Sequence, residues 1–305
     1  MKKYIPLLIM ASTIAPAMAQ EPPSEQAPTR KFHRHEISIY GTLSRAFLMN
    51  DYRSYNVSFA GDYTDKLSGS GGVGYTFFFH RHWGIATGAE VAFFRTALLA
   101  RIPESSLETY SYGGATEPMV FNSTLNAYQE TQRATYIHIP LMLQFQTAGR
   151  HKFYLAAGAK AGLALSGKYE ASAASLETSG YFPGSGQTFT NMPNHGFTTV
   201  WNPSWTGAVD FGLNVSAAAE TGARWAMGKH AALYTGVYLD YGLLDVAPEK
   251  TAGVVSYQPA KPSEFVHNSL LAAYDPTTKT AYVKEVNLFS AGIKIRLAFG
   301  WRYSQ

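Results

Sequence analysis

The residues with chemical potential in this 305-residue chain are charges set among apolar neighbours. Glu36, Glu90, Asp210, Glu220 and Asp240 sit this way, as do Lys160, Arg224, Lys294 and Arg296, with His138 and Gln144 beside them. Such a set could supply general acid and base groups, line an ion path, or neutralise itself inside a closed interior. Nothing orders the carboxylates around a substrate, so the last reading is preferred and a narrow, gated ion path is the alternative. Two His-x-His strings, His33-Arg34-His35 and His80-Arg81-His82, lack a third ligand, so no metal site is expected. Gly158-Ala159-Lys160-Ala161-Gly162 and Gly69-Ser70-Gly71-Gly72 precede no helix and are not phosphate loops. Ser172, His195, Ser204 and His267 could furnish a hydrolase cluster, but they show no recognisable spacing. Neither an enzyme nor a cofactor is expected.

The elements that must position these charges alternate with period two. Eight segments do so: 36–48, 64–79, 83–98, 133–147, 152–170, 207–227, 231–246 and 283–299. In 231–246, Leu233, Val237, Leu239, Tyr241 and Leu243 share one face, while Tyr234, Gly236, Tyr238, Asp240 and Gly242 share the other. Segment 207–227 sets Val209, Phe211, Leu213 and Val215 against Asp210, Asn214, Ser216 and Glu220.

The connections fall into two kinds. His80–His82, Ala148–His151 and Gly228–His230 are tight turns, whereas 49–63, 99–132, 171–206 and 247–282 are long. Strict short and long alternation over an even strand number is the pattern of an outer-membrane barrel with short periplasmic turns and long extracellular loops. The fold class expected is therefore all-β, an eight-stranded antiparallel up-and-down transmembrane β-barrel with no open edge in lipid. Phe77, Phe79, Trp83, Phe145, Phe153, Trp225 and Phe299 fall on the apolar parity beside the short turns or the chain end, where a periplasmic aromatic girdle belongs. A soluble sandwich would seldom gather its long loops at one end. A soluble ligand-binding calyx would place the charges outside, opposite to the parity found.

Composition agrees. Charged residues make up 15% of the chain, aromatics 14%, and there is no Cys. Low charge disfavours a solvated globule, and the missing Cys removes disulfides and thiolate chemistry. Lys2 and Lys3 account for two of the four net positive charges, leaving too little to suggest nucleic-acid binding. They also open a secretory signal, residues 1–19, whose apolar run ends at Ala17-Met18-Ala19. Residues 20–35, rich in Pro and polar groups, read as a periplasmic tether, and 36–305 as the barrel.

The strings RATYIHIPLMLQFQ (133–146), KFYLAAGAKAGLALSGKY (152–169), LYTGVYLDYG (233–242) and GIKIRLAFG (292–300) resemble the outer-membrane β-barrel domain of Bacteroidota-type bacteria, the barrel half of their OmpA-like proteins. The resemblance covers most of 36–300. It implies a non-enzymatic, monomeric barrel in contact with outer-membrane lipid and lipopolysaccharide. Phe289, Phe299 and Trp301 look like the terminal signal read by the barrel-assembly machinery, followed by a polar tail, Arg302 to Gln305. The peptidoglycan-binding domain common in such proteins is not expected in this chain. Function is then expected in the long loops, rich in Tyr, Asn and Ser, toward an extracellular protein or glycan, or in envelope integrity; a small-solute porin and an outer-membrane acyltransferase or protease are the rivals.

Overall fold

The computed structural model describes residues 34–51, 67–111 and 117–301; the expected signal, nearly all of the tether, most of the first long connection and the polar tail lie outside them. In chain order the strands are β1 (His35–Asn50), β2 (Ser68–Phe78), β3 (Trp83–Ala100), β4 (Ser105–Tyr110), β5 (Pro118–Asn126), β6 (Tyr128–Gln146), β7 (His151–Ser172) and β8 (Ser175–Phe182). They continue with β9 (Gln187–Phe189), β10 (Thr199–Trp201), β11 (Ser204–Ala208), β12 (Asn214–Met227), β13 (Ala231–Gly242), β14 (Val255–Ser256), β15 (Val266–His267) and β16 (Val286–Trp301).

Eight of these form a ring. The order β7, β12, β13, β16, β1, β2, β3, β6 is antiparallel throughout, and β6 pairs back onto β7. The register measures the closure. From His35 it passes through Phe77, Ile85, Leu143, Ala157, Ala219, Leu239 and Ala291 and returns to β1 at Arg45, ten residues further on. A stagger of ten over eight strands tilts each strand by about 40° from the ring axis, given the usual strand rise and spacing.

Alternation sets the two faces. Ile137, Ile139, Leu141, Leu143 and Phe145 point outward from β6, while His138, Pro140, Met142 and Gln144 are buried inside. That outward apolar run covers about 26 Å of strand, roughly 20 Å of height at this tilt, which suits a hydrocarbon layer. Above it the outer face turns polar, with Gln129, Thr131 and Arg133. The register shift between Thr135 and Tyr136 marks the change, and along β7 the inward positions pass from Ala156 and Lys160 to Tyr169 and Ala171.

The described parts of the connections 99–132, 171–206 and 247–282 are not open loops. β4, β5, β8 and β10 form a second sheet with β9 alongside, and its apolar positions, Met119, Phe121, Leu125 and Leu176, enter a core with Leu48, Phe94 and Tyr136 from the ring. Val254, Val255, Leu270, Leu271 and Tyr282 close that core from the last connection. Sequence reading misses this sheet because its strands are short and its apolar residues isolated among Ser, Thr and Asn.

Leu141, 63% exposed at mid-band, and Thr131, outward on the same strand above it, test the boundary. Leu141→Arg should cost about 2–4 kcal/mol in a lipid-refolding urea titration, and Thr131→Arg under about 1 kcal/mol. Equal losses would place the apolar band elsewhere.

Candidate functional site

Three charge knots fill the lumen. Nearest the short turns, Arg224 meets Glu36 at 2.6 Å, and the Tyr234 hydroxyl donates to the same carboxylate at 2.6 Å while accepting from Arg224 Nε at 2.8 Å. Next, Glu220 takes Lys294 at 2.5 Å and Arg296 at 3.5 Å, and Arg296 also donates to Gln144 at 3.1 Å. Toward the other end, Lys160 donates to both Glu90 oxygens at 3.1 Å and to Asp240 at 2.7 Å. Aromatic faces complete the cover: Lys294 lies 4.1 Å from the Tyr40 ring centre and Arg296 lies 4.0 Å from that of Tyr234.

These side chains come from β1, β3, β6, β7, β12, β13 and β16, so closure of the ring is what assembles them. Small residues make the room. A Cβ on Gly162 would overlap the ring of His138, whose Nε2 lies 3.2 Å from Asn214 Nδ2. The free spaces lined by the second and third knots are only about 30 Å³ and 10 Å³, enough for one or two waters.

Asp210 does not join them. The segment expected to run unbroken from 207 to 227 is interrupted: β11 ends at Ala208 and β12 begins at Asn214. Between them Val209 and Phe211 turn inward over Gly167, whose missing side chain admits them, and Asp210 is exposed. Phe211 and Leu213 share a sequence parity but not a face, because the break shifts the register. Four carboxylates then stand against four cations in the set named from sequence. That reading also omits Tyr40, Tyr234 and Lys152, the last paired in register with Arg224. Their inward parity was the available signal.

The seven girdle candidates keep to the short-turn end, facing outward. Trp83 packs on Phe145 at 5.0 Å, Phe77 on His35 at 5.3 Å and Trp225 on His151 at 5.3 Å between ring centres, with Phe79, Phe153 and Phe299 exposed nearby.

At the opposite end a second polar centre holds the cap. Glu130, fully inside, accepts from Tyr128 OH, Gln132 Nε2 at 2.8 Å, Ser269 Oγ at 2.6 Å and the Leu270 amide at 3.0 Å. Beside it His267 stacks on Trp205 at 4.3 Å and lies among Tyr128 and Tyr169. Sequence reading missed Glu130, because β6 starts five residues earlier than its apolar pattern suggests. Of the hydrolase candidates, Ser172 and Ser204 face each other in register, His195 lies in a short turn and His267 is buried among aromatics. Among the described residues no group of three or more His, Asp or Glu could hold a metal. An apolar cleft of about 300 Å³ opens on the cap between Leu176, Val200, Pro203, Trp205 and Phe265.

The family described as "Outer membrane protein beta-barrel domain" matches residues 18–247. No curated protein matches the chain in sequence. Among solved structures, Ail, the attachment invasion locus protein of Yersinia pestis, is 10% identical with a TM-score of 0.31, covering 89% of this chain and 100% of its own. OprG from Pseudomonas aeruginosa is 11% identical with a TM-score of 0.33, covering 90% and 99%. Neisserial surface protein A is 8% identical with a TM-score of 0.29, covering 88% and 96%.

Lys160→Met strands Glu90 and Asp240 in the lumen and should lower stability by about 3–5 kcal/mol. Adding Glu90→Gln and Asp240→Asn should restore most of it in the same urea titration; a triple variant no better than the single one would rule out charge pairing as the source.

The cap has its own pH dependence. Burial pulls the His267 imidazole down to about 3, so the closed cap holds it neutral, whereas a released His titrates near 6.5. Acidification below 6.5 should therefore weaken the cap by about 1.4 kcal/mol per pH unit. Glu130 acts in the opposite sense, since burial holds its carboxyl above the usual range and favours the closed cap at low pH. In a Glu130→Gln background, amide exchange at 266–272 should thus speed up between pH 7 and pH 5 after correction for intrinsic rates, and in a His267→Phe background it should not. The reverse assignment would overturn this account.

Proposed function

We propose, from the premise that this chain belongs to the outer membrane protein β-barrel domain family, that it is a non-enzymatic, non-conducting surface protein whose long-connection end faces outward and recognises an extracellular protein or glycan. One observation carries the reading. The connections 99–132 and 171–206 build an ordered second sheet over a buried apolar core, although tight turns would be enough to close a ring. On its outside that sheet presents Trp201, 71% exposed, with Tyr110 and Tyr181. Rigid aromatic side chains offer contact area at low entropic cost, and the surrounding Ser, Thr and Asn offer adaptable hydrogen bonds.

The paired lumen supports the non-conducting part, since passage of ions or small solutes would require the Lys160 and Glu220 knots to separate. The positions of Ser172, Ser204 and His267 give an enzyme no nucleophile and base in contact. Export through a cleaved signal at 1–19, insertion by the assembly machinery, a monomeric state and a closer kinship with the OmpA-like barrels of Bacteroidota-type bacteria belong to the same proposal.

With no native Cys, single cysteines report orientation directly. Ser263→Cys, in the cap, should react with an impermeant maleimide on intact cells, and Lys229→Cys, in a short turn, only after permeabilisation. The opposite pattern would invert the barrel. In planar bilayers the purified protein should give no large steady conductance. On arrays of glycans and matrix proteins, cells displaying it should lose retention when Trp201 and Tyr181 are changed to Ser. Unchanged binding would move recognition away from this sheet.

A further inference from the structure

The outer wall carries a row of like charges that the described residues do not neutralise in full. Arg95 on β3 is in register with Arg133 on β6, and Arg133 is in register with Lys168 on β7. All three point outward. Arg95 lies between the buried Phe94 and Thr96, Arg133 between the buried Gln132 and Ala134, and Lys168 between Gly167, on which Phe211 closes, and the buried Tyr169. Cross-strand neighbours of the same sign repel. Of this row, Arg133 has a bidentate carboxylate partner, Glu170, at 2.6 Å and 2.9 Å. Arg95 Nε is shielded from solvent with no hydrogen-bond partner among the described residues. Among the described residues, one carboxylate against three cations leaves the row in excess by two charges.

What lies beneath the row defines its complement. Arg95 sits two residues above Phe93 on the outward face of β3, and Phe93 pairs in register with Thr135, which pairs with Ser166. Below these come Val91, Ile137 and Leu163, again in register, with Phe93 and Leu163 more than half exposed. Across three adjacent strands the wall thus presents a cationic layer, a mixed layer in which the Thr135 and Ser166 hydroxyls stand beside Phe93, and an apolar layer, in that order. A phosphorylated lipid has the same sequence of layers: anionic phosphate, polar sugar or ester, and acyl chain. A soluble anion would use only the first. The planar guanidinium forks of Arg95 and Arg133 suit phosphate oxygens, and Lys168 adds a point charge.

We infer that Arg95, Arg133 and Lys168 form a binding site for the phosphate of an outer-leaflet glycolipid, whose acyl chains lie on Phe93, Ile137 and Leu163. The site rests on the outward orientation proposed above only for the choice of leaflet. The cysteine-labelling experiment decides orientation independently of lipid retention.

The test uses the full-length protein in nanodiscs doped with bis-phosphorylated lipid A or with the same lipid stripped of both phosphates, and bound lipid is read by mass spectrometry after exchange into detergent. The wild-type protein should retain the phosphorylated form over the stripped form by about tenfold or more. R95Q/R133Q/K168Q, verified as folded by heat-modifiable migration, should lose that preference. Because the comparison of the two lipids uses wild-type protein, it stands even if the triple variant fails to fold. Equal retention of both lipids, an undiminished preference in a folded triple variant, or complete displacement by inorganic phosphate would each overturn the inference, the last by identifying a soluble anion as the ligand.

Discussion

Hydrocarbon offers backbone amides and carbonyls no hydrogen-bond partner, and the rest of this structure follows from that constraint. A sheet that enters lipid must pair its last edge with its first, and here the pairing of β1 with β16, the first and last strands of the chain, does so. Closure over eight strands leaves a lumen too narrow to hydrate the charges that alternation sends inward. Each charge must then find its partner within the wall. Glu36, Glu90, Glu220 and Asp240 meet Arg224, Lys160, Lys294 and Arg296, with the Tyr40 and Tyr234 rings also covering Lys294 and Arg296.

The same alternation is used twice with opposite sense. In the apolar band the wall is hydrophobic outside and ionic inside. Past the register shift at Thr135 and Tyr136 it is polar outside and hydrophobic inside, as in a water-soluble sheet. The change follows the surroundings, because the strands outrun the lipid and their ends must bury apolar surface against something else. The second sheet and the connection 247–285 provide that surface. Glu130 is a buried acid in this largely apolar storey, and its four donors explain how it persists there: they tie the start of β6 to Ser269 and Leu270 in the cap.

The two storeys divide the mechanical roles. Paired charges make the lumen a rigid plug, since moving any one of them exposes an unpaired partner in a low-dielectric interior. The cap is held by apolar packing and by the aromatic stack around His267, so its surface can vary in sequence without disturbing the ring below. A scaffold stabilised apart from its outer surface is suited to recognition.

Local alternation was legible in the sequence because it depends only on near neighbours. Leu239 and Tyr238 take opposite faces whatever the remainder of the chain does, and the tight turns at 80–82 and 228–230 mark which strands must be antiparallel neighbours. Alternation therefore determined the fold class, the inward set of charges and the outward apolar band. It could not determine where alternation breaks. Asp210 leaves the lumen because Val209 and Phe211 fold over Gly167, and Glu130 enters the cap because β6 runs on past its apolar segment. Nor could it determine partners. Tyr234 and Glu36 are 198 positions apart and touch because β1 and β13 both flank β16, with a stagger of ten set by the whole ring. Pairing across a barrel is a property of closure and register, which no single segment contains, and so only the tertiary structure decided which charge meets which.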